Sequence, residues 1–205
     1  MAWTSNEKLL VLADDGLYRL YDLQGEHEQF SLGAEASETG VLGAKIYDGG
    51  LVVLTGALNF IELKGWEDGR ISPLAASGLN ELPHSWSLIP PELSTSRHVE
   101  VHVATESTVV TIDALERIDQ RLSRGPFTHI VPSPNAKFLA LITATGHLWV
   151  VSADFSRNLS EVELATLGEA ASGVPDQVEW CGDNAVVLAW AGNVVVVGPG
   201  GESLT

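Results

Sequence analysis

Short apolar segments separated by glycine-containing or proline-containing turns dominate the pattern of hydrophobic positions along the chain. The best-formed example is the stretch 121–152, in which three apolar segments, 127–131, 138–143 and 148–152, are separated by a Pro-Ser-Pro-Asn turn and by a turn at Gly146. Short segments of this kind joined by tight turns are typical of antiparallel strands. The stretch therefore predicts three consecutive strands of one antiparallel sheet.

The same pattern recurs from one end of the chain to the other. The hairpin positions fall at Gly16, Gly56, Ser107, Gly146 and Gly192, which lie 40, 51, 39 and 46 residues apart. Propeller blades of four strands recur about every 40–50 residues. The pattern predicts an all-β fold, a β-propeller of WD-repeat-like blades, with four to five blades present. The approximate blades are 1–33, 41–74, 85–122, 127–164 and 174–205.

The segments between the predicted strands contain little predicted helix. The nearest helical candidates, 114–122 and 160–170, are short and lie between predicted strands. A ring of seven blades would need roughly 290 residues. We therefore expect a single propeller domain or a partial propeller over 1–205, as a segment of a seven-bladed ring. A five-bladed ring is the alternative.

Composition narrows the possible partners and the compartment. The chain has 27 acidic and 11 basic residues, a net charge of −16, and this charge opposes binding to nucleic acid or to anionic lipid. The longest apolar runs, 51–63 and 184–197, are too short for a membrane-spanning helix, which needs about 18 residues. The lone Cys181, beside Trp180, suits a reducing compartment and is predicted to be a small core residue. A cytoplasmic protein without direct membrane insertion is expected.

Candidate catalytic and metal-binding patterns are weak. His98, Glu100 and His102 share one face of a predicted strand, but no further ligand has metal-site spacing, so they are interpreted as a surface-facing polar row. The chain contains neither a Gly-x-Ser-x-Gly motif nor a phosphate-binding glycine loop. Trp66 lies in a glycine-flanked turn and is predicted to be exposed. No catalytic, cofactor-binding or metal-binding residue is predicted, and no enzyme activity is expected.

The basic residues Arg117, Arg121 and Arg124 form the one basic cluster, in a segment that connects two predicted blades. If 114–122 formed a helical turn, Arg117 and Arg121 would share a face. One interpretation is pairing with the nearby Glu116 and Asp119. The other is a protein-interface site for an acidic segment of a partner, because guanidinium groups bind carboxylates with two parallel hydrogen bonds.

Four blocks of the sequence together carry a family resemblance that covers nearly the whole chain. They are KLLVLADDGLYRLYDLQGEHEQFSLG (8–33), PHSWSLIPPEL (83–93), RLSRGPFTHIVPSPNAKFLALITATGHLWVVSADF (121–155) and QVEWCGDNAVVLAW (177–190). The combination resembles the N-terminal propeller of the vacuolar protein sorting-associated protein 16 family, in a fungal-looking version. WD-repeat signatures are weak, since only Tyr21-Asp22 and Ile112-Asp113 stand where a Trp-Asp pair would.

The resemblance implies a non-enzymatic core subunit of the HOPS and CORVET membrane-tethering complexes, which act in vesicle fusion and protein transport at endosomes and vacuoles. It implies other tethering-complex subunits as protein partners, no cofactor, and a cytoplasmic location that is peripheral on endosomal and vacuolar membranes. Family members carry blades before and an α-solenoid after the stretch that resembles this chain. Because the SNARE-binding Sec/Munc-type subunit binds that helical half, the present chain is not expected to bind it.

Two rival hypotheses remain at this point. One is a propeller-type hydrolase or lyase, which requires axial carboxyl groups with raised pKa values. The other is a propeller from a coat or nuclear-pore scaffold, which only the family resemblance separates from the tethering scaffold.

Overall fold

The computed structural model describes residues 1–67, 69–168, 171, 173–198 and 201–204. Its described strands form five antiparallel sheets of four strands each, and in every sheet the strands pair in the order in which they follow one another in the chain. Such meanders arise because tight turns return the chain beside the strand it has just left. The prediction of an all-β chain made of short antiparallel strands is confirmed.

The chain divides into two compact units, of which the first comprises Met1–Leu82 and Ile112–Arg117. Its first sheet consists of β1 (Ala2–Trp3), β2 (Leu9–Leu12), β3 (Leu17–Tyr21) and β4 (His27–Ser31). Its second sheet consists of β5 (Val41–Tyr47), β6 (Gly50–Thr55), β7 (Phe60–Lys64) and β8 (Arg70–Pro73). A short helix, α1 (Ala34–Thr39), precedes the second sheet and was not predicted from the sequence. The two sheets share one apolar core, in which Leu20, Leu51 and Leu63 are buried.

The second unit comprises Pro83–Thr111 and Ile118–Thr205. The third sheet consists of β9 (Ser85–Ile89), β10 (Glu100–Ala104), β11 (Val109–Ile112) and β12 (Arg117–Asp119), of which Ile112 and Arg117 are grouped with the first unit. The fourth sheet consists of β13 (Phe127–Pro132), β14 (Phe138–Thr143), β15 (His147–Ser152) and β16 (Asn158–Glu163). The fifth sheet consists of β17 (Gln177–Cys181), β18 (Ala185–Trp190), β19 (Asn193–Val197) and β20 (Ser203–Leu204).

Two apolar clusters form the core of the second unit. One joins the fourth and fifth sheets through residues such as Leu148, Val178 and Leu188. The other includes Phe127 and Leu141 of the fourth sheet and residues of the third sheet. Because the fourth sheet contributes to both clusters, both of its faces are covered, and its central strand β14 is almost entirely apolar.

Several local predictions were wrong. The helical candidate at 114–122 contains the strand β12, and the candidate at 160–170 contains the end of β16 followed by a short 3₁₀ helix at Leu164–Leu167, with 169 and 170 outside the described residues. Cys181, predicted to be a core residue, is exposed at the end of β17. Trp66, predicted to be exposed, is buried, and its carbonyl oxygen accepts a hydrogen bond of 3.0 Å from the Tyr18 hydroxyl.

Candidate interaction site

The three arginines of the predicted basic cluster make three different sets of contacts. Arg117, on β12, donates a hydrogen bond of 2.6 Å from Nε to the carbonyl oxygen of Ser77. Its side chain lies beside Gly78, where an added Cβ would be 3.3 Å from Nε. Ser77 is itself buried and donates from its hydroxyl to the carbonyl oxygen of Leu58. Arg117 is thus held against the loop that follows the second sheet, within the first unit.

Arg121 lies in an exposed turn directly after β12. Its backbone adopts a left-handed conformation with a φ of 53°, and its N–H donates to the Asp119 carboxylate at 2.7 Å. The same carboxylate accepts a hydrogen bond of 2.8 Å from the Thr108 hydroxyl. Asp119 therefore shapes the turn, and the turn presents Arg121 at the surface.

Arg124 has the most developed surroundings of the three. Its guanidinium forms an ion pair with Glu161 of β16 and lies over the Trp149 ring, with Cζ 5.0 Å from the ring centre. The side chain of Arg124 is still 59% exposed, whereas Trp149 is only 8% exposed. A cation above an aromatic face is attracted by the negative charge of the ring face. The guanidinium is therefore positioned at the surface with its charge accessible.

Arg124 also borders a cavity of about 240 Å³ on the second unit. Its lining also includes Thr143, Thr145, His147 and the carboxylate-bearing Glu161, the ion-pair partner of Arg124. The two threonine hydroxyls are 2.9 Å apart, and the Thr145 hydroxyl lies 3.2 Å from Nδ1 of His147. The guanidinium, the imidazole and the hydroxyl groups can bind an acidic side chain if it displaces Glu161 from Arg124.

One of the two histidines in the predicted surface-facing row is buried. His102 of β10 is fully buried while His98 is exposed, so the interpretation of His98, Glu100 and His102 as a surface-facing row was wrong for His102. Its Nδ1 lies 3.1 Å from the Thr111 hydroxyl, which accepts a hydrogen bond of 2.9 Å from the Gln120 amide, and its ring meets Phe155 edge-on. Burial lowers the pKa of His102 to about 4, because the charged imidazolium would lose its hydration. His102 is therefore a neutral core residue.

Among the described residues, no three His, Cys, Asp or Glu side chains lie close enough to hold a metal ion. Hydrogen bonds from the hydroxyl of Ser152 and then from Ser156 hold the pKa of Asp154 at about 2, the opposite direction from a catalytic acid. Within the described part of the chain, no helix has the length and apolar character needed to cross a membrane.

Solved structures with a similar fold have very different sequences. A chain of the mitotic checkpoint complex matches all of this chain and 62% of its own length, with a TM-score of 0.67 and 13% identity. Hsv2 of Kluyveromyces lactis matches 95% of this chain and 58% of its own length, with a TM-score of 0.64 and 8% identity. Both are β-propeller proteins, and the predicted fold class, a β-propeller, is confirmed.

Sequence comparison is more specific. The chain is 34% identical over 210 residues to the probable vacuolar protein sorting-associated protein 16 homolog of Schizosaccharomyces pombe, covering 100% of this chain and 25% of that protein. It is 26% identical to the homolog of Dictyostelium discoideum, covering 93% of this chain and 23% of that protein. The chain thus spans about a quarter of the length of these relatives. The family model for the Vps16 N-terminal region matches residues 1–205, and the chain belongs to that family.

Proposed function

We propose that this chain is a non-enzymatic protein-interaction scaffold within a vacuolar protein sorting complex that tethers membranes at the endosome and vacuole. The observation that carries the proposal is the match of all 205 residues to the Vps16 N-terminal region. The family resemblance supports the finer proposal that these complexes are HOPS and CORVET.

The chemistry of the surface supports a role in binding proteins. Strands at the edge of two sheets, β4 and β12, are largely exposed and carry polar or charged side chains. A net charge of −16 opposes direct contact with phosphate-rich surfaces, so attachment to membranes is proposed to be peripheral and through partner subunits. We also propose that residues 1–205 form a single propeller domain or part of one.

The proposed contact residues are Arg117, Arg121 and Arg124, with Arg124 as the principal one. Arg117 is committed to the Ser77 carbonyl, which leaves less of its hydrogen-bonding capacity for a partner. Arg124 combines an exposed guanidinium with a fixed position over Trp149. Its partner Glu161 is a surface carboxylate, and exposed ion pairs contribute about 0–1 kcal/mol, so an acidic group of another subunit can replace it at little cost.

An affinity purification tests the proposed scaffold. The full-length protein and the isolated 205-residue chain are each used to capture tethering-complex subunits from the same cell extract. We expect the isolated chain to retain at least one core subunit and to lose the SNARE-binding Sec/Munc-type subunit. If the full-length protein captures the complex while a correctly folded 205-residue chain captures none of it, the scaffold role does not lie in this region.

A further inference from the structure

An apolar groove opens on the surface of the second unit, between the fourth and fifth sheets. It has a volume of about 210 Å³, and six apolar side chains line it together with a few polar residues. The six are Phe138, Val150, Leu159, Trp180, Val186 and Val197. Small-molecule sites usually measure about 300–1,000 Å³, so this groove is sized for a side chain rather than for a cofactor.

Fixed aromatic rings form one wall of the groove. The rings of Phe138 and Trp180 are stacked, with centroids 6.4 Å apart. The indole Nε1 of Trp180 donates to the carbonyl oxygen of Val131 at 2.9 Å, so the polar edge of the ring is already satisfied. The ring faces are consequently apolar and held in place before any ligand arrives, which reduces the entropy lost on binding.

A β-bulge supplies the exposed apolar residue of the groove. In the pairing of β15 with β16, Val150 lies opposite Ser160 but Val151 lies opposite Asn158, which leaves Leu159 without a partner in the ladder. Bulges redirect a side chain and are common next to functional sites. Leu159 lines the groove and is 43% exposed. Burial of this apolar side chain would be favourable.

Two carboxylates lie beside these apolar side chains. Asp183 lines the groove, and its carboxylate accepts a hydrogen bond of 3.1 Å from the backbone N–H of Asn135. Glu202 lies over Gly198, another lining residue, with Oε1 2.6 Å from the position that a Cβ of Gly198 would take. The chain contains no lysine or arginine after Arg157, so the segment that contributes both carboxylates carries no compensating positive charge.

We propose that this groove binds a short segment of another protein that inserts one large apolar side chain and places lysine or arginine residues next to it. The apolar walls provide the binding energy, and the carboxylates of Asp183 and Glu202 select basic flanks and disfavour acidic ones. This surface uses none of the three arginines, so the proposal does not depend on the tethering role.

Peptides of defined composition test the groove on the 205-residue chain. A capped peptide with one leucine flanked on both sides by lysines is compared with the same peptide carrying alanine in place of leucine, and with the leucine flanked by glutamates. Binding is followed by the NMR signal of the Trp180 indole N–H and by the methyl signals of Val150, Val186 and Val197. We expect saturable shifts of these signals with the lysine–leucine peptide, and affinities at least about tenfold weaker for both comparison peptides.

Substitutions locate the binding. Leu159→Ser is expected to weaken binding of the lysine–leucine peptide at least about tenfold, because it removes an exposed apolar side chain from the groove. Leu115→Ser, at a residue that is 76% exposed and outside the groove, is the matched control and should leave the affinity unchanged. Asp183→Asn combined with Glu202→Gln should reduce the difference in affinity between the lysine-flanked and the glutamate-flanked peptide. Glu179→Gln is the control and should leave this difference unchanged, because Glu179 lies on the opposite face of β17 from Trp180.

Three results would overturn the proposal. The first is that the alanine peptide binds as tightly as the leucine peptide, since attraction between charges alone would then explain binding. The second is that Leu159→Ser and Leu115→Ser have equal effects while both variants retain the wild-type circular dichroism spectrum. The third is that the Trp180 signal does not move with any of the peptides.

Discussion

The guanidinium carbon of Arg124 lies 5.0 Å from the centre of the Trp149 ring, and the same guanidinium is paired with Glu161. Trp149 is almost fully buried and its Nε1 has no hydrogen-bond partner among the described groups, while Arg124 remains mostly exposed. A rigid aromatic ring therefore positions a surface charge. Arginine is enriched among the residues that contribute most of the binding energy at protein interfaces.

Replacing Arg124 is expected to weaken partner binding strongly while it lowers the stability of the fold only slightly. Arg124→Ala removes an exposed ion pair and one cation–π contact, so the free energy of unfolding should fall by about 1 kcal/mol or less. If Arg124 contacts an acidic partner, capture of that partner by the full-length protein should fall at least about tenfold. Chemical denaturation and quantitative affinity purification measure the two effects.

Arg70→Ala is the matched control for Arg124, because it removes the same charge from an exposed position on β8. Arg70→Ala should change neither the free energy of unfolding nor the capture of the partner appreciably. Equal partner capture by wild type, Arg124→Ala and Arg70→Ala would remove Arg124 from the proposed interface.

Acid is expected to destabilise the fold through His102. The pKa of His102 is lowered by burial from 6.5 to about 4 in the folded chain, so the unfolded chain binds more protons between these values. Stability is therefore fully present above about pH 6.5 and is lost as the pH falls through this window. The loss should total about 3 kcal/mol at pH 4. Denaturant unfolding at intervals across the window measures it.

The variant His102→Asn should flatten this pH dependence, even if it also lowers stability at neutral pH. His129→Asn is the comparison, because half-burial also lowers the pKa of His129 while a hydrogen bond and the charge of Asp176 oppose that shift. His129→Asn should therefore change the slope of the free energy of unfolding against pH less than His102→Asn does. If His102→Asn and the wild type show the same slope of unfolding free energy against pH, His102 is not the group that titrates in this window.

Gly56 should tolerate no side chain. A Cβ at this position would lie 2.0 Å from the Thr39 carbonyl oxygen, at the end of α1, so alanine must push two backbone segments apart. Gly56→Ala is expected to cost about 3 kcal/mol, the upper part of the range for overpacking. Gly146→Ala is the control, since its φ of +80° is unfavourable for alanine but open space surrounds it. That strain costs about 1 kcal/mol. Thermal melts of the two variants should differ clearly, and similar melting temperatures would contradict the close contact.

Repeated strands could be predicted where their hairpins depend on local turn chemistry, as they do at three of the five predicted positions. Gly16, Gly146 and Gly192 all have positive φ values in the structure, the conformation that tight hairpins require. Glycine favours that conformation whatever lies elsewhere in the fold. The spacing of such hairpins was therefore sufficient to predict the propeller class.

Burial could not be predicted where it depends on distant contacts. On β10, Val101, His102 and Val103 are all fully buried, so the alternation of polar and apolar residues does not distinguish a solvent face on this strand. Trp66 is buried in the apolar core of the first unit, and its carbonyl oxygen accepts a hydrogen bond from Tyr18, which lies 48 residues earlier in the chain. The groove at Leu159 depends on a bulge and on a neighbouring sheet, and neither leaves a local signal in the sequence.

A chimaera tests the central claim, that this chain acts in vacuolar protein sorting, most directly. The chain replaces the matching quarter of its Schizosaccharomyces pombe relative, with which it shares 34% identity. The chimaera is then expressed in cells that lack that relative, and delivery of a vacuolar marker is measured. We predict that delivery is restored, whereas the relative without this quarter restores none. A stable, well-expressed chimaera that restores no delivery, alongside an intact relative that does, would contradict the account.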